Sequence, residues 1–579
     1  MRALKRQAQI VAVAAAVVAS AGIAGQARQT SPVPSRQDDR AIVHVLNRLG
    51  FGAAPGDLER VRAIGLATYV DQQLHPERLP DSGMAVRLAS FETLTKSTQE
   101  MARQYYLPAQ MARRELQRQQ GAQDPAASDP AMAQQNPAAR RAMMTPEQAE
   151  AVRMERQALG ELMQAKMLRA AYSDRQLEEV LVDFWFNHFN VFSGKGQVRM
   201  YLNEYERDAI RPHVLGKFRE LLQATAESPA MLFYLDNWQS SAPEGARTAA
   251  PRPEAGRLNP RNPNRMPDRA GVGRPGELNR PRTLADLPPG LQNRRAGLNE
   301  NYARELMELH TLGVEGGYTQ RDVQEVARAF TGWTIANPRQ GGGFRFEPRM
   351  HDDGEKIVLG QRIRSGGGKK DGDQVLDLLA NHPSTAQFIA TKLARRFVAD
   401  DPPKALVDRA ARTFRDTSGN IRDVVRTIVT SPEFFAPEAY RAKVKSPFEF
   451  VVSAVRATGT NMTDAQPLVM AVRSLGMPLY GCQPPTGYPD KAEAWVNTGA
   501  LLNRMNFAVS LTASRQQRSA GVRPLQGRIS TSPSITSEAL VASALAGELS
   551  LTTAATVRKA TTTSQALALV LGSPEFQRK

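Results

Sequence analysis

The chain has 579 residues, of which 41% are hydrophobic, and a formal net charge of +17 at pH 7. This length suffices to bury a large core, and the single Cys482 excludes a disulfide within the chain. The basic residues show no interleaved aromatic residues and no nucleic-acid-binding motif, so specific nucleic-acid recognition is not expected. The charge instead predicts a basic surface that contacts an anionic partner such as an envelope polymer.

The N-terminus is typical of a secretory signal peptide. Arg2, Lys5 and Arg6 precede an apolar run over residues 10–24, and small residues follow this run. The run is shorter than the roughly 20 apolar residues that a transmembrane helix needs. We therefore predict a signal peptide at 1–27, a polar leader at 28–40, and an exported protein, periplasmic or extracellular, without a transmembrane helix after cleavage.

The rest of the chain, residues 41–577, predicts a single multi-helical body. Apolar periodicity predicts helices over 41–74 (with glycine and proline interruptions), 147–171, 176–189, 374–379, 385–398, 405–416 and from 421 onwards. Alternation within 341–360 predicts a small β-hairpin. Residues 119–146 and 239–292 have few large apolar residues, which predicts a flexible insertion and a Pro/Arg-rich disordered insertion. The expected fold class is mainly α.

Serine followed by proline recurs after helical stretches, at Ser228, Ser431 and Ser573. Proline is favoured in the first turn of a helix, where its missing N–H is not needed, and serine is a good cap before it. We interpret these pairs as repeated helix starts.

Polar residues are concentrated in the block 299–334. Read as a helix, Asn301, Glu305 and Glu308 fall on one face, at i, i+4 and i+7. A buried pair of carboxylates could act as acid and base, which makes Glu305 a catalytic candidate. The alternative is an ordinary surface network in which Arg304 pairs with Glu308.

Three of the seven histidines lie in polar or aromatic surroundings: His188, which follows Asn187, His310, and His351, which precedes Asp352. Imidazoles and carboxylates are the donors that a divalent metal takes, so these histidines are candidate metal ligands and Asp352 a second catalytic candidate. No known ligand spacing is present. The alternative is a hydrogen-bonded core histidine at 188 and a charge at a helix C-terminus at 310.

Several stretches together resemble one family, the bacterial domain-of-unknown-function family 1800. They are 44–52 (HVLNRLGFG), 185–191 (WFNHFNV), 205–211 (YERDAIR), 228–236 (SPAMLFYLD), 299–334, 351–356 (HDDGEK), 382–401, 445–449, 487–489 and 501–507. The resemblance implies a largely helical, exported protein and carries no established catalytic residues. Its members are often encoded beside exported proteins that resemble sulfatases and phosphatases, which implies an exported partner.

Two functions follow from these observations. The first is a metal-assisted hydrolase that acts on an envelope or extracellular polymer, and the second is a non-catalytic binding or accessory protein for an exported partner. A third interpretation treats the polar block as a structural network. The hydrolase hypothesis requires Glu305 and His310 to face His188 and His351 across one cleft.

Overall fold

The computed structural model describes residues 38–123, 144–243, 297–462, 464–513 and 535–579, together with residues 33, 245, 246, 248, 529 and 530. The predicted signal peptide and most of the two predicted insertions lie outside these residues. Where the first insertion was expected to begin, residues 119–123 form the end of a helix instead.

The N-terminal half is built from α-helices. They are α1 (Asp39–Arg48), α2 (Asp57–Ile64), α3 (Leu66–Leu74), α4 (Ser82–Leu88), α5 (Thr98–Met101), α6 (Leu107–Gln123), α7 (Pro146–Tyr172), α8 (Gln176–His188), α9 (Val198–Glu204), α10 (Phe218–Glu227) and α11 (Pro229–Tyr234). Segments of π-helix at Ala102–Tyr106 and Tyr205–Ile210 follow α5 and α9 directly.

The second half adds the small strands. Its helices are α12 (Glu300–Glu305), α13 (Gln320–Ala329), α14 (Lys369–Ala380), α15 (Pro383–Phe397), α16 (Lys404–Asp416), α17 (Ile421–Val429), α18 (Pro447–Ala457), α19 (Gln466–Ser474), α20 (Thr498–Thr512), α21 (Ser537–Leu545), α22 (Leu551–Arg558), α23 (Thr563–Leu571) and α24 (Pro574–Gln577). Its strands are β1 (Trp333–Ile335), β2 (Phe344–Phe346), β3 (Lys356–Val358), β4 (Gln361–Ile363), β5 (Asn461–Met462) and β6 (Ile529–Ser530). A third π segment, Leu306–Thr311, continues α12.

The mainly α fold class is confirmed, and the strands form three small antiparallel pairs, β1 with β2, β3 with β4, and β5 with β6. The two stretches from which one hairpin was predicted therefore belong to different hairpins. Phe344 pairs with Ile335, upstream of the expected region, and Ile357 pairs with Arg362.

Local sequence accounts for many helix starts. Ser446 caps α18 by accepting from the backbone N–H of Glu449, whose carboxylate in turn accepts from the N–H of Ser446. Ser228 and Ser573 cap α11 and α24, each ahead of a proline. These caps satisfy backbone donors that the first helical turn leaves unpaired.

One contiguous hydrophobic core runs through the described residues, from Val33 to Phe576. Helix α8 lies within it, since Leu177, Val180, Leu181 and Trp185 are all fully buried. The burial of α8 fixes the position of its C-terminal residues, which the candidate site uses.

Candidate functional site

His188 ends the buried helix α8 and is itself buried. Its Nε2 lies 3.1 Å from the backbone oxygen of His310. A carbonyl oxygen only accepts, so Nε2 must carry the proton, and Nδ1 is the unprotonated nitrogen. This Nδ1 is buried and has no hydrogen-bond partner among the described residues. The His310 carbonyl thus selects one tautomer of His188.

His310 lies in the π segment that continues α12. The wide turn is visible where Leu312 N–H donates to the Met307 oxygen five residues earlier, at 2.7 Å. The rings of His188 and His310 lie 6.2 Å apart between centroids. Burial, with the nearby charge of Lys392, lowers the pKa of His310 to about 3 and that of His188 well below its usual value. Both imidazoles are therefore neutral near pH 7.

His351 belongs to a different, fully buried network. Its Nδ1 lies 2.8 Å from the Thr331 backbone oxygen, and its Nε2 lies 3.2 Å from the Asp371 carboxylate. The same carboxylate oxygen accepts from Lys356 at 2.6 Å. Lys356 and Asp371 are 0% exposed. Both ring nitrogens of His351 thus face acceptors, and His351 connects the loop at Thr331 to α14. Lys356 connects β3 to the same Asp371 carboxylate of α14.

Asp352 is held by Arg328 of α13, at 2.8 and 3.2 Å. Burial opposes its ionisation, but the hydrogen bonds from Arg328 and the N–H of Gly354 outweigh that cost and hold the pKa of Asp352 below its usual value. Asp352 is therefore ionised, and both of its carboxylate oxygens already accept hydrogen bonds.

The polar residues of block 299–334 do not form one cluster, because they differ in exposure and in hydrogen-bond partners. Asn301 is exposed, and Arg304 donates to Gln320 at 2.7 Å instead of pairing with Glu308. Glu308 accepts from the Tyr318 hydroxyl at 3.2 Å. Glu305 is half-buried, and burial together with the neighbouring Glu308 raises its pKa. The π segment changes the helical register after Glu305, so the face predicted from a regular helix is not kept.

The predicted residues thus separate into groups. The structure brings His188 and His310 together, whereas the hydrogen bonds and ring contacts of His351 are with Thr331, Asp371 and Phe346. Within the part of the chain that the structure describes, no three His, Cys, Asp or Glu side chains form a group that could hold a metal ion. The set His188, His310 and His351 is accordingly not such a group.

A cavity of about 400 Å³ opens beside His188. Its walls come from α8, α15, the start of α18 and the loop over residues 477–493. The lining residues are Asp183, Phe184, Asn187, His188, Lys392, Arg395, Arg396, Ser446, Glu449, Met477, Thr486, Gly487, Tyr488, Pro489, Asp490, Lys491 and Glu493.

Asn187 attaches the loop to α8. Its Nδ2 donates to the Tyr488 backbone oxygen at 2.8 Å, and its Oδ1 accepts from the Tyr488 N–H at 2.7 Å. Gly487 has a φ of +74°, and a Cβ there would lie 2.3 Å from the backbone oxygen of Asn187. Glycine is therefore required for both the backbone conformation and the close approach.

Most charges in and behind the cavity wall are paired. The pairs are Lys166 with Asp183 (2.7 Å), Lys443 with Asp490 (3.5 Å), Lys491 with Asp401 (3.0 Å), and Glu449 with both Arg396 and Lys579. Burial opposes ionisation of Glu449, but Arg396 and Lys579 outweigh it and hold its pKa well below the usual value.

Two cations of the wall have no such partner. Lys392 makes neither an ion pair nor a hydrogen bond within the described residues; its Nζ lies 5.5 Å from the centre of the Phe388 ring. Arg395 donates to the Asp400 backbone oxygen at 2.8 Å but has no carboxylate partner there. Burial lowers the pKa of Lys392 to about 8. The cavity wall therefore holds two cations without an ion-pair partner among the described residues, beside the carboxylates of Asp490 and Glu493.

Among the residues that line the cavity, Asn187 and His188 were predicted as site candidates from the sequence, whereas Lys392, Arg395 and Arg396 were not. A signal was present, since three basic residues within five positions interrupt an apolar helix in the stretch 382–401.

Burial raises the pKa of the Cys482 thiol to about 11, so this thiol stays protonated at neutral pH.

A family model described as "Protein of unknown function (DUF1800)" matches residues 44–578. The match spans nearly the whole chain, so the protein belongs to this family, as its sequence stretches predicted. Comparison with curated proteins and with solved structures finds no match. Among the described helices, none is both long and apolar enough to cross a membrane.

Proposed function

We propose that the protein binds a ligand with an acidic group in the cavity between α8, α15 and the loop 477–493. The observation that carries this function is the Lys392 side chain, which lines the cavity without a carboxylate or hydrogen-bond partner among the described residues. A half-buried cation that lacks an internal partner gains free energy when a ligand supplies the negative charge.

The apolar part of the wall limits the kind of ligand. Phe184, Met477 and Pro489 line the same cavity as the cations. Cavities of about 300–1,000 Å³ are of the size that takes small molecules. We therefore propose that the ligand is a small organic acid or the acidic end group of a polymer. The partner expected from the net charge was the surface of an anionic polymer.

Calorimetric titration tests this function with a matched pair of sugars. Glucuronate supplies a carboxylate and glucose does not, so glucuronate should bind and glucose should not. Lys392→Met should weaken glucuronate binding by about tenfold, which corresponds to roughly 1.4 kcal/mol for one desolvated charge contact. Lys404→Met is the control, because the Lys404 side chain is 84% exposed on α16. Equal binding of both sugars, or an unchanged Kd in Lys392→Met, would exclude the proposal.

We also propose that the protein is exported, on the strength of the basic residues and the apolar run over 10–24. Expression of the full chain with a C-terminal tag, followed by fractionation and N-terminal sequencing, tests this. A mature N-terminus near residue 28 in the periplasm or medium is expected. A cytoplasmic protein that retains Met1 would contradict it.

A further inference from the structure

We infer that Lys392 is a nucleophilic amine that forms an imine with the carbonyl carbon of an acidic aldehyde or 2-oxo acid bound in the cavity. This inference rests on the proposed function, since it takes the same cavity and the same acidic class of ligand. It adds a covalent step and a chemical group, the carbonyl, that the ligand must carry.

The first argument is the contrast between Lys392 and the lysines near it. Lys443 lies 2.6 Å from an Asp400 oxygen, Lys491 lies 3.0 Å from an Asp401 oxygen, and Lys166 lies 2.7 Å from an Asp183 oxygen. A carboxylate at such a distance stabilises the ammonium form, which has no lone pair. Lys392 has no carboxylate at such a distance among the described residues, and so it differs from its neighbours in the feature that decides nucleophilicity.

The second argument is what surrounds the amine instead. On α15, Phe388 lies one turn before Lys392, and its ring centre is 5.5 Å from Nζ. Burial has the largest effect on the pKa of Lys392 and lowers it; Asp490 of the loop 477–493 raises it, and Arg395, one turn after Lys392, lowers it. Desolvation and a neighbouring cation are the two means by which enzymes keep a lysine amine neutral and reactive. The lowering of the Lys392 pKa to about 8 agrees with this geometry.

The third argument concerns the acidic group of the ligand. Arg395 also lines the cavity, and only the Asp400 backbone oxygen accepts from it among the described residues. A guanidinium binds a carboxylate or phosphate through several N–H donors. Arg395 can therefore hold the acid while the amine one turn earlier on the same helix reaches the carbonyl.

The reaction balances without an oxidant or reductant. The neutral Lys392 amine adds to the carbonyl carbon and forms a C–N bond, which gives a carbinolamine. The oxygen leaves as water with two hydrogens that come from the amine, and a C=N bond remains. When protonated, this imine keeps the positive charge at Nζ, so the acidic group still meets a cation.

Reductive trapping on the full chain tests the inference. Glyoxylate, which carries an aldehyde next to a carboxylate, is added with cyanoborohydride near pH 7, and carboxymethylated lysines are quantified by peptide mass spectrometry. Lys370, which is exposed and has no ion pair among the described residues, serves as the internal reference in the same sample. Modification of Lys392 should be saturable and at least about tenfold faster than that of Lys370.

Two further measurements separate this inference from the proposed function. Glycolate, which has the carboxylate but no carbonyl, should slow the trapping of Lys392 by competition, and Lys392→Arg should bind glycolate yet give no adduct at position 392. If glycolate binds but Lys392 is trapped no faster than Lys370, the imine is overturned and acid binding stands. If neither glycolate nor glyoxylate binds, both fail. The comparison within the wild-type protein holds even if the variant does not fold.

Discussion

At Lys392 the function depends on a single proton. The ammonium form meets an acidic ligand, and the free amine attacks a carbonyl. Because burial lowers the pKa of Lys392 to about 8, both forms are present at mildly basic pH. An exposed lysine, with a pKa of about 10.4, would be almost entirely charged in the same range.

Binding of a carbonyl-free acid such as glycolate should weaken as pH rises through about 8, since the cation that it contacts is then lost. The lowered pKa fixes the sign: charge is present below this pH and absent above it. Calorimetric titration between pH 6.5 and pH 9.5 measures this, and the affinity should fall toward that of Lys392→Met, about tenfold in all. Lys392→Met should bind weakly at every pH, and a wild-type affinity that stays constant to pH 9.5 would contradict the prediction.

Asp371 is the residue on which the His351 network depends. Asp371→Asn keeps the shape but leaves Lys356, which is 0% exposed, without its carboxylate. An uncompensated buried charge costs about 3–5 kcal/mol, so urea unfolding should show a loss of that size. The control on the same helix is Asp377→Asn, because Asp377 pairs with Arg219 and its side chain is 60% exposed. This control should lose no more than about 1 kcal/mol. Equal losses would show that the network is not a stability element.

At the scale of the element, helix starts were predictable from sequence and helix interiors were less so. Ser228 and Ser573 cap helices as their Ser-Pro pairs predicted, whereas the prediction for Ser431 was wrong, because a turn follows it. The π segment Leu306–Thr311 was not predicted, because it appears as an ordinary helical pattern in the sequence. Its wider turn shifts the face on which later residues lie, so the face predicted for Asn301, Glu305 and Glu308 in a regular helix is not kept.

The loop over the cavity gives a prediction at this scale. Gly476 and Gly487 both have positive φ, but a Cβ at Gly476 would meet nothing within 4 Å, whereas one at Gly487 would lie 2.3 Å from Asn187 O. Gly476→Ala should cost about 1–2 kcal/mol of backbone strain and leave glucuronate binding intact. Gly487→Ala should cost more and weaken binding, because the loop must move. Thermal unfolding and calorimetric titration measure the two effects. Similar behaviour of the two variants would exclude a clash at Gly487.

At the scale of the whole molecule, three buried neutral histidines make stability depend on pH. Burial lowers the pKa of His44 and His310 to about 3 and that of His188 well below its usual value. Unfolding exposes each imidazole to water, where its pKa is about 6.5. The unfolded chain therefore binds more protons in the range between these values.

The free energy of unfolding should thus be highest above pH 6.5 and fall as pH decreases below it. Each histidine contributes about 1 kcal/mol over the first pH unit below 6.5 and approaches 1.4 kcal/mol per unit below that, so three give roughly 3 kcal/mol between pH 6.5 and 5.5. Urea unfolding at several pH values measures the slope. His310→Gln should reduce the slope by about 1 kcal/mol per pH unit, whatever its effect on stability at pH 7. An unchanged slope would show that His310 is not neutral in the folded protein.

The sequence by itself determined the mainly α fold, the family and many helix starts, and it singled out Asn187 and His188, which line the cavity. These features depend on local periodicity, on capping chemistry and on motifs that are contiguous in the chain. Only the tertiary structure decided that His351 and Asp352 belong to a structural network and that Lys392 has no ion-pair partner among the described residues. Whether a charge is paired depends on distances between segments far apart in sequence, such as α8, α15 and the loop 477–493. No local pattern contains those distances.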